Sequence, residues 1–290
     1  MQKIRILIFS ICGELIKILC RIGLISIPYG INVTDKRREK IIVSLTSYGR
    51  RVSSVLPFAI ISLLRQTYKP DIILLWLDAE NWNDDNLPES LRKLKKYGLT
   101  VKYCRDIKSY KKLVPTLNLF PDAVIVTCDD DLYYKNTMLE RLIMEYIKDP
   151  TNIYSHRAHR IGLTIAGELQ PYNNWEEEIS GETGRHVFPT GGAGCLYKKS
   201  LLYKDVCNVD LFMKLAPQAD DVWFYFMELL QGTNCVVLPK KGYNYIPLDT
   251  FYQHFHTDAN LYRINCLESQ NDVQIRNIMD YYGINTTDLQ

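Results

Sequence analysis

Two kinds of hydrophobic spacing alternate along the chain. Strand-like apolar runs at Ile41–Leu45, Ile72–Leu77, Leu99–Tyr103 and Ala123–Thr127 are rich in β-branched residues and bounded by polar turns. Such runs predict strands buried on both faces. Between them, Val55–Leu64, Leu87–Leu94 and Met138–Ile147 repeat apolar residues at three- and four-residue intervals, the spacing of amphipathic helices. The segment from Tyr103 to Ala123 reads as a loop. This βαβα order predicts an α/β fold with a mostly parallel central sheet and flanking crossover helices. After Asp149-Pro150 the pattern loosens. Ile153–Ile165 reads as one or two strands, 166–188 as a long polar loop, Cys195–Tyr197 as a short strand, and Asp220–Leu230 and Gln270–Tyr282 as helices.

The N-terminal segment Lys3–Ile25 is apolar but interrupted by Glu14, Lys17 and Arg21. It therefore lacks the roughly 18–20 uncharged residues of a spanning helix. On a helical projection Lys3, Ser10, Gly13, Glu14, Lys17 and Arg21 fall on one stripe, with Leu7, Phe9, Leu15, Ile18, Leu19 and Ile22 outside it. With the basic cluster Lys36–Lys40 behind it, such a helix suits in-plane insertion at an anionic membrane surface. The competing expectation is a helix packed on its own domain or on a partner chain. A cleaved signal is disfavoured, because no small-residue cleavage site follows. The chain thus divides into a membrane-associating helix at 1–30 and a single domain at 38–290.

Charge sharpens this division. The 35 Lys and Arg against 33 Asp and Glu leave +2, which excludes a broadly basic nucleic-acid surface. Residues 1–65, however, hold eleven basic residues and three acids, a surplus of eight. Eight cysteines without C-x-x-C spacing point to packing residues in a reducing cytoplasm.

Ligands of open α/β sheets bind at the carboxyl ends of the strands. Those ends carry Thr46, Ser47 and Arg51 after the first run, Asp78 after the second, Arg105 and Asp106 after the third, and Asp129-Asp130-Asp131 after the fourth. Three adjacent carboxylates repel one another unless a cation sits among them, and hard Mg²⁺ or Mn²⁺ is the natural occupant. Asp220-Asp221 opens an apolar helix, where one acid can cap and the other can abstract a proton. Thr190-Gly191-Gly192-Ala193-Gly194 permits close approach of a ligand to the main chain, although it fits neither a P-loop nor a dinucleotide fingerprint. Arg105, Lys111 and Lys112 are placed to meet a diphosphate. His254 and His256, on one face if extended, are a possible completion of a metal shell or merely two exposed imidazoles.

Taken together, these motifs resemble bacterial GT-A-fold glycosyltransferases close to family 2, of the kind that builds capsule, exopolysaccharide or lipopolysaccharide. The resemblance spans Ile41–Gly232. It rests on Ile42–Tyr48 with Arg51, Ser62–Gln66, Lys112–Leu117, Val126–Tyr134, Pro189–Gly192 and Leu215–Trp223. It implies a Rossmann-like GT-A domain and a nucleotide-diphosphate sugar donor, a UDP-sugar first among the candidates. Thr46, Ser47, Arg51, Asp78, Lys112, Asp129 and Asp130 would hold the nucleotide, and Asp129 and Asp131 would hold Mn²⁺ or Mg²⁺. The acidic pair would supply the base in an inverting transfer, with the choice between Asp220 and Asp221 left open; Asp220 stands where family 2 usually has Glu. Tyr172, Trp175 and Trp223 are candidates for stacking on sugars, with a core role the alternative for Trp223. The acceptor would be a saccharide or lipid-linked saccharide at the inner face of the cell membrane, where the protein would associate peripherally. Rival classes are a metal-dependent phosphatase or nucleotidyltransferase, and a non-enzymatic membrane-associated binding protein.

Overall fold

The computed structural model describes residues 2–242, 244–255 and 270–290, except the side chains of residues 2–6, 251, 254 and 255. The chain opens with α1 (Gln2–Arg21) and continues through β1 (Ile41–Thr46), α2 (Arg51–Ser54), α3 (Leu56–Leu64), β2 (Ile72–Asp78), α4 (Glu89–Lys95) and β3 (Leu99–Cys104). Next come α5 (Val114–Leu119), β4 (Val124–Cys128), β5 (Leu132–Tyr134), α6 (Met138–Lys148), β6 (Ile153–Ser155) and β7 (Ala158–Arg160). The second half holds β8 (Thr183–Gly184), β9 (Val187–Pro189), β10 (Cys195–Lys198), α7 (Val209–Leu215), α8 (Asp220–Gln231), β11 (Cys235–Val237), β12 (Tyr245–Pro247), α9 (Thr250–Phe255) and α10 (Gln270–Tyr282).

Among the described residues, eight strands form the central sheet in the order β3-β2-β1-β4-β10-β6-β11-β8. The first four are mutually parallel, as the βαβα pattern requires. Alternate residues of these strands serve two separate cores. Ile42, Leu74 and Ile125 pack on one face with Tyr110, Phe224 and Phe226; Val43, Leu45, Leu75 and Val126 pack on the other with α3 and α6. Burial on both faces is why the β1, β2 and β4 runs are so apolar rather than alternating. β3, expected to be buried likewise, is an edge strand, with Thr100 exposed and Val101–Cys104 only partly buried.

The second half departs from the simple series. β10 runs antiparallel between β4 and β6, so the sheet is mixed, though most neighbouring pairs are parallel. The expected loop between β3 and β4 instead contains a 3₁₀ turn at Lys108–Lys112 and the helix α5. The loop at 166–188 contributes β8 and reaches β9. α8 ends at Gly232, whose φ of 76° is the left-handed conformation a helix terminus favours. Gln253 and His254 lie in α9, so the extended geometry expected for His254 and His256 does not arise there; the His254 side chain and all of His256 lie outside the described residues.

α1 forms as the spacing predicts, although it stops at Arg21. Among the described residues, no helix is long and apolar enough to cross a membrane.

Candidate active site

The carboxyl ends of β1 and β4, the Lys108–Lys112 turn, the glycine turn at 190–194 and the start of α8 enclose a cleft of about 830 Å³. Its place at the strand ends is where an α/β sheet leaves its parallel strands unroofed. Thr46, Ser47, Arg51, Lys112, Asp129, Asp130, Asp131, Asp220 and Asp221 all line it.

At the end of β4 the three carboxylates point in different directions. Asp130 is buried; it accepts from the Ser47 hydroxyl at 2.5 Å and from Arg51 Nη1 at 2.9 Å. Asp131 pairs with Arg51 Nη2 at 3.1 Å and accepts from Gln253 Nε2 at 3.0 Å. Burial pushes the Asp130 carboxyl up to about 7 and raises Asp131, in both cases against the pull of Arg51. Asp129 turns toward the glycine turn and lies 3.6 Å from Lys112 Nζ. Thr46 also borders the cleft, with its hydroxyl donated to the Trp76 carbonyl at 2.9 Å.

The glycine turn is stitched to the end of β4. Thr127 donates to the Gly191 carbonyl at 2.8 Å, and the Asp129 amide donates to the Gly192 carbonyl at 3.1 Å. Gly192 is required here by space alone, since a Cβ would sit 1.6 Å from Asp129 Oδ2. Asp221 accepts from the Gly191 amide at 3.0 Å. Neither acid of the pair caps α8, contrary to the expectation for one of them. The Asp220 carboxylate instead meets Lys112 Nζ at 2.8 Å, and Asp221 lies 3.7 Å from the same nitrogen. Burial raises Asp221 to about 6, partly offset by Lys112.

Lys112 is thus a buried ammonium among three carboxylates. Their charge lifts it well above its ordinary range even though burial pulls the other way. It lines the cleft, but its contacts are the acids themselves. Asp78 and Arg105 do not line the cleft; the Asp78 carboxylate accepts from the Asn81 amide and side chain at 2.9 and 2.7 Å. Lys111 lines the cleft but pairs with Asp106. Trp175 and Trp223 are core residues, packed respectively on Tyr172 and Phe188 and on Phe212, while Tyr172 does reach the cleft.

Sequence reasoning passed over Arg157 and His159, which sit on and beside the short β7. Arg157 Nε donates to Thr190 at 2.6 Å, and Nη1 to Tyr245 at 3.3 Å. Burial depresses His159 to about 4, so it faces the cleft as a neutral imidazole at pH 7. Nothing local in the sequence marks either one; they reach the cleft where β7 pairs with β9 and the Thr190 amide donates to the Arg157 carbonyl at 3.0 Å.

A divalent ion suits this set by chemistry, since Asp129 and Asp131 offer only hard oxygens and the cleft carries more acids than bases. Among the described residues, no three His, Cys, Asp or Glu side chains form a ready cage. The fit is therefore to a hydrated Mg²⁺ or Mn²⁺ completed by a ligand's oxygens.

No family model matches the chain, and no curated protein matches it. Among solved structures it is similar to a 1–349 fragment of S. aureus TarS in complex with UDP, at 14% identity and a TM-score of 0.45. That similarity covers 74% of this chain and 62% of the fragment, so the chain matches less than two thirds of the TarS fragment. It is also similar to the mannosyltransferase PcManGT from Pyrobaculum calidifontis in complex with GDP-Man and Mn²⁺, at 14% identity and a TM-score of 0.43, over 82% and 65% of the two chains. A CMP:2-keto-3-deoxy-manno-octonic acid synthetase complexed with CTP is similar at 9% identity and a TM-score of 0.42, over 72% and 93%.

Proposed function

We propose that the protein is a nucleotide-sugar-dependent glycosyltransferase of GT-A type that adds a hexose to a saccharide or lipid-linked acceptor in surface polysaccharide synthesis. One observation carries the reading. The Lys112 ammonium lies 3.6 Å from Asp129, at the end of β4, and 3.7 Å from Asp221, at the start of α8. Metal-side acid and candidate base are thereby held in one charge cluster.

Ser47 and Arg51 order Asp130 and Asp131 and, with Thr46, border the space for the nucleotide. Mn²⁺ or Mg²⁺ held by Asp129 and Asp131 would supply positive charge against the diphosphate leaving group. Asp221 is the better base of the pair. Both line the cleft, but the Asp221 side chain is 30% exposed and titrates at about 6, whereas that of Asp220 is 10% exposed and held at 2.8 Å by Lys112. In the proposed reaction the acceptor hydroxyl oxygen bonds to the anomeric carbon as its proton passes to Asp221. The bond from that carbon to the diphosphate oxygen breaks from the opposite face, which inverts the centre.

The test is incubation with a panel of nucleotide sugars, UDP-sugars first, with Mn²⁺ or Mg²⁺ and with or without EDTA, while free nucleoside diphosphate is followed. Metal-dependent release that is lost in Asp131→Ala is the expected result. Release of pyrophosphate from a nucleoside triphosphate and a sugar, or nucleotide affinity untouched by Asp131→Ala, would overturn the reading.

A further inference from the structure

The N-terminal helix is docked the opposite way round from an ordinary surface helix. The face it turns to the protein carries the buried Gly13, Lys17, which is largely covered while pairing with Glu14 at 2.5 Å, and Ile16 and Cys20, which pack on the core. Its apolar stripe faces outward, with Leu7, Ile8, Ile11, Leu15, Ile18 and Ile22 all 49–62% exposed. Water is a poor solvent for six aligned aliphatic side chains, and a helix folding for a globular core alone would turn them inward. The stripe spans roughly 22 Å at 1.5 Å per residue, long enough to lie along a surface.

The surroundings indicate what that surface is. Cys20 and Arg21, at the end of α1, share a cleft of about 370 Å³ with Lys93 and Lys96 of the α4 region, Ile27, Phe58 and Leu94. The end of the apolar stripe is thus bordered by a basic fringe, of which, among the described residues, only Lys93 has an acid within 4 Å, Glu89 at 3.8 Å. Between two copies of this chain those cations would face each other, whereas anionic headgroups would neutralise them.

We propose that the outward face of α1, with the Arg21–Lys93–Lys96 fringe, is a docking surface for an anionic lipid bilayer, the helix lying in the plane of the interface. The domain then hangs from the polar face of the helix. The surface does not depend on the transfer chemistry, so either reading can fail without the other.

Co-sedimentation of the full chain with phosphatidylcholine vesicles, with and without phosphatidylglycerol, tests it. Binding to the anionic vesicles is expected, weakened by salt, and reduced roughly tenfold or more by the double substitution Leu15→Asp/Ile18→Asp. Both side chains are exposed, so the thermal midpoint of the variant should match wild type and certify its fold. Three results would overturn the proposal: no binding of wild type to anionic vesicles, equal binding of the double variant, or a wild-type dimer in solution that the double variant dissolves. The last would make a second copy the occupant.

Discussion

Lys112 shows how a single side chain's meaning depends on its neighbours. As one of nine basic residues in a short stretch it reads as a phosphate contact, yet its ammonium is enclosed by Asp129, Asp220 and Asp221. Losing it would leave uncompensated buried acids. Asp221 is the complementary case, a carboxylate raised to about 6 by burial and therefore ionised yet basic at neutral pH. Asp221→Asn should lower transfer by about two to four orders of magnitude while nucleotide binding persists, the size expected for a lost general base. In wild type the base is inactive when protonated, so kcat/KM should fall as pH drops below about 6. Titration calorimetry with UDP and a pH profile of turnover check both; unchanged turnover in Asp221→Asn would remove it from the mechanism.

At the scale of elements, the segment from β12 through α9 ties the N-terminal helix to the cleft. On one side it meets α1, where Gly13 packs so closely that a Cβ would lie 2.5 Å from the Pro247 carbonyl oxygen. On the other side, the Leu248 amide donates to the Asp131 carbonyl at 2.8 Å. Asp249 accepts both contacts of Arg50 Nη2 at 2.7 and 2.6 Å and lies 3.5 Å from Arg51 Nε, and Gln253 holds Asp131. Gly13→Ala should therefore force α1 and this segment apart, an overpacking that costs about 1–3 kcal/mol. Its expected signature at a distance is a several-fold weaker metal-dependent binding of UDP, measured by calorimetry; an affinity equal to wild type would mean that the segment absorbs the change without moving Asp131 or Arg51.

Across the whole molecule, several buried carboxyls bias stability with pH, and Glu228 is the one outside the cleft. Glu228 lies in α8 with its Oε1 unpartnered among the described residues, and burial pushes its carboxyl well above the ordinary range. The folded protein retains a proton there that the unfolded chain releases, so stability is full at low pH and declines as pH rises above the unfolded value. Each pH unit across that window costs about 1.4 kcal/mol. Glu228→Gln removes the titration. The midpoint difference between Glu228→Gln and wild type should therefore widen in favour of the variant from pH 5 to pH 8, read by thermal denaturation; a constant difference would mean that Glu228 is already neutral in both states or ionised in both.

The first half of the fold and the acids of the site were legible from residues alone. Ile41–Thr46, Ile72–Asp78 and Val124–Cys128 carry their own signal because burial on two faces demands continuous apolar residues. The carboxyl ends of such strands are where acids stand out. The insertion of β10 between β4 and β6, the turn that carries Lys112, and the placing of Arg157 and His159 left no such mark. The strand placements arise from pairings between short strands far apart in sequence, and the Lys112 turn is a five-residue 3₁₀ segment; each holds too few residues for periodicity to declare it. The sequence alone determined that α1 is amphipathic; only the tertiary structure decided that its apolar side faces out. Periodicity specifies which residues share a face, but the direction of that face is decided by what the helix packs against, here a glycine-sized contact with Pro247 and Leu248.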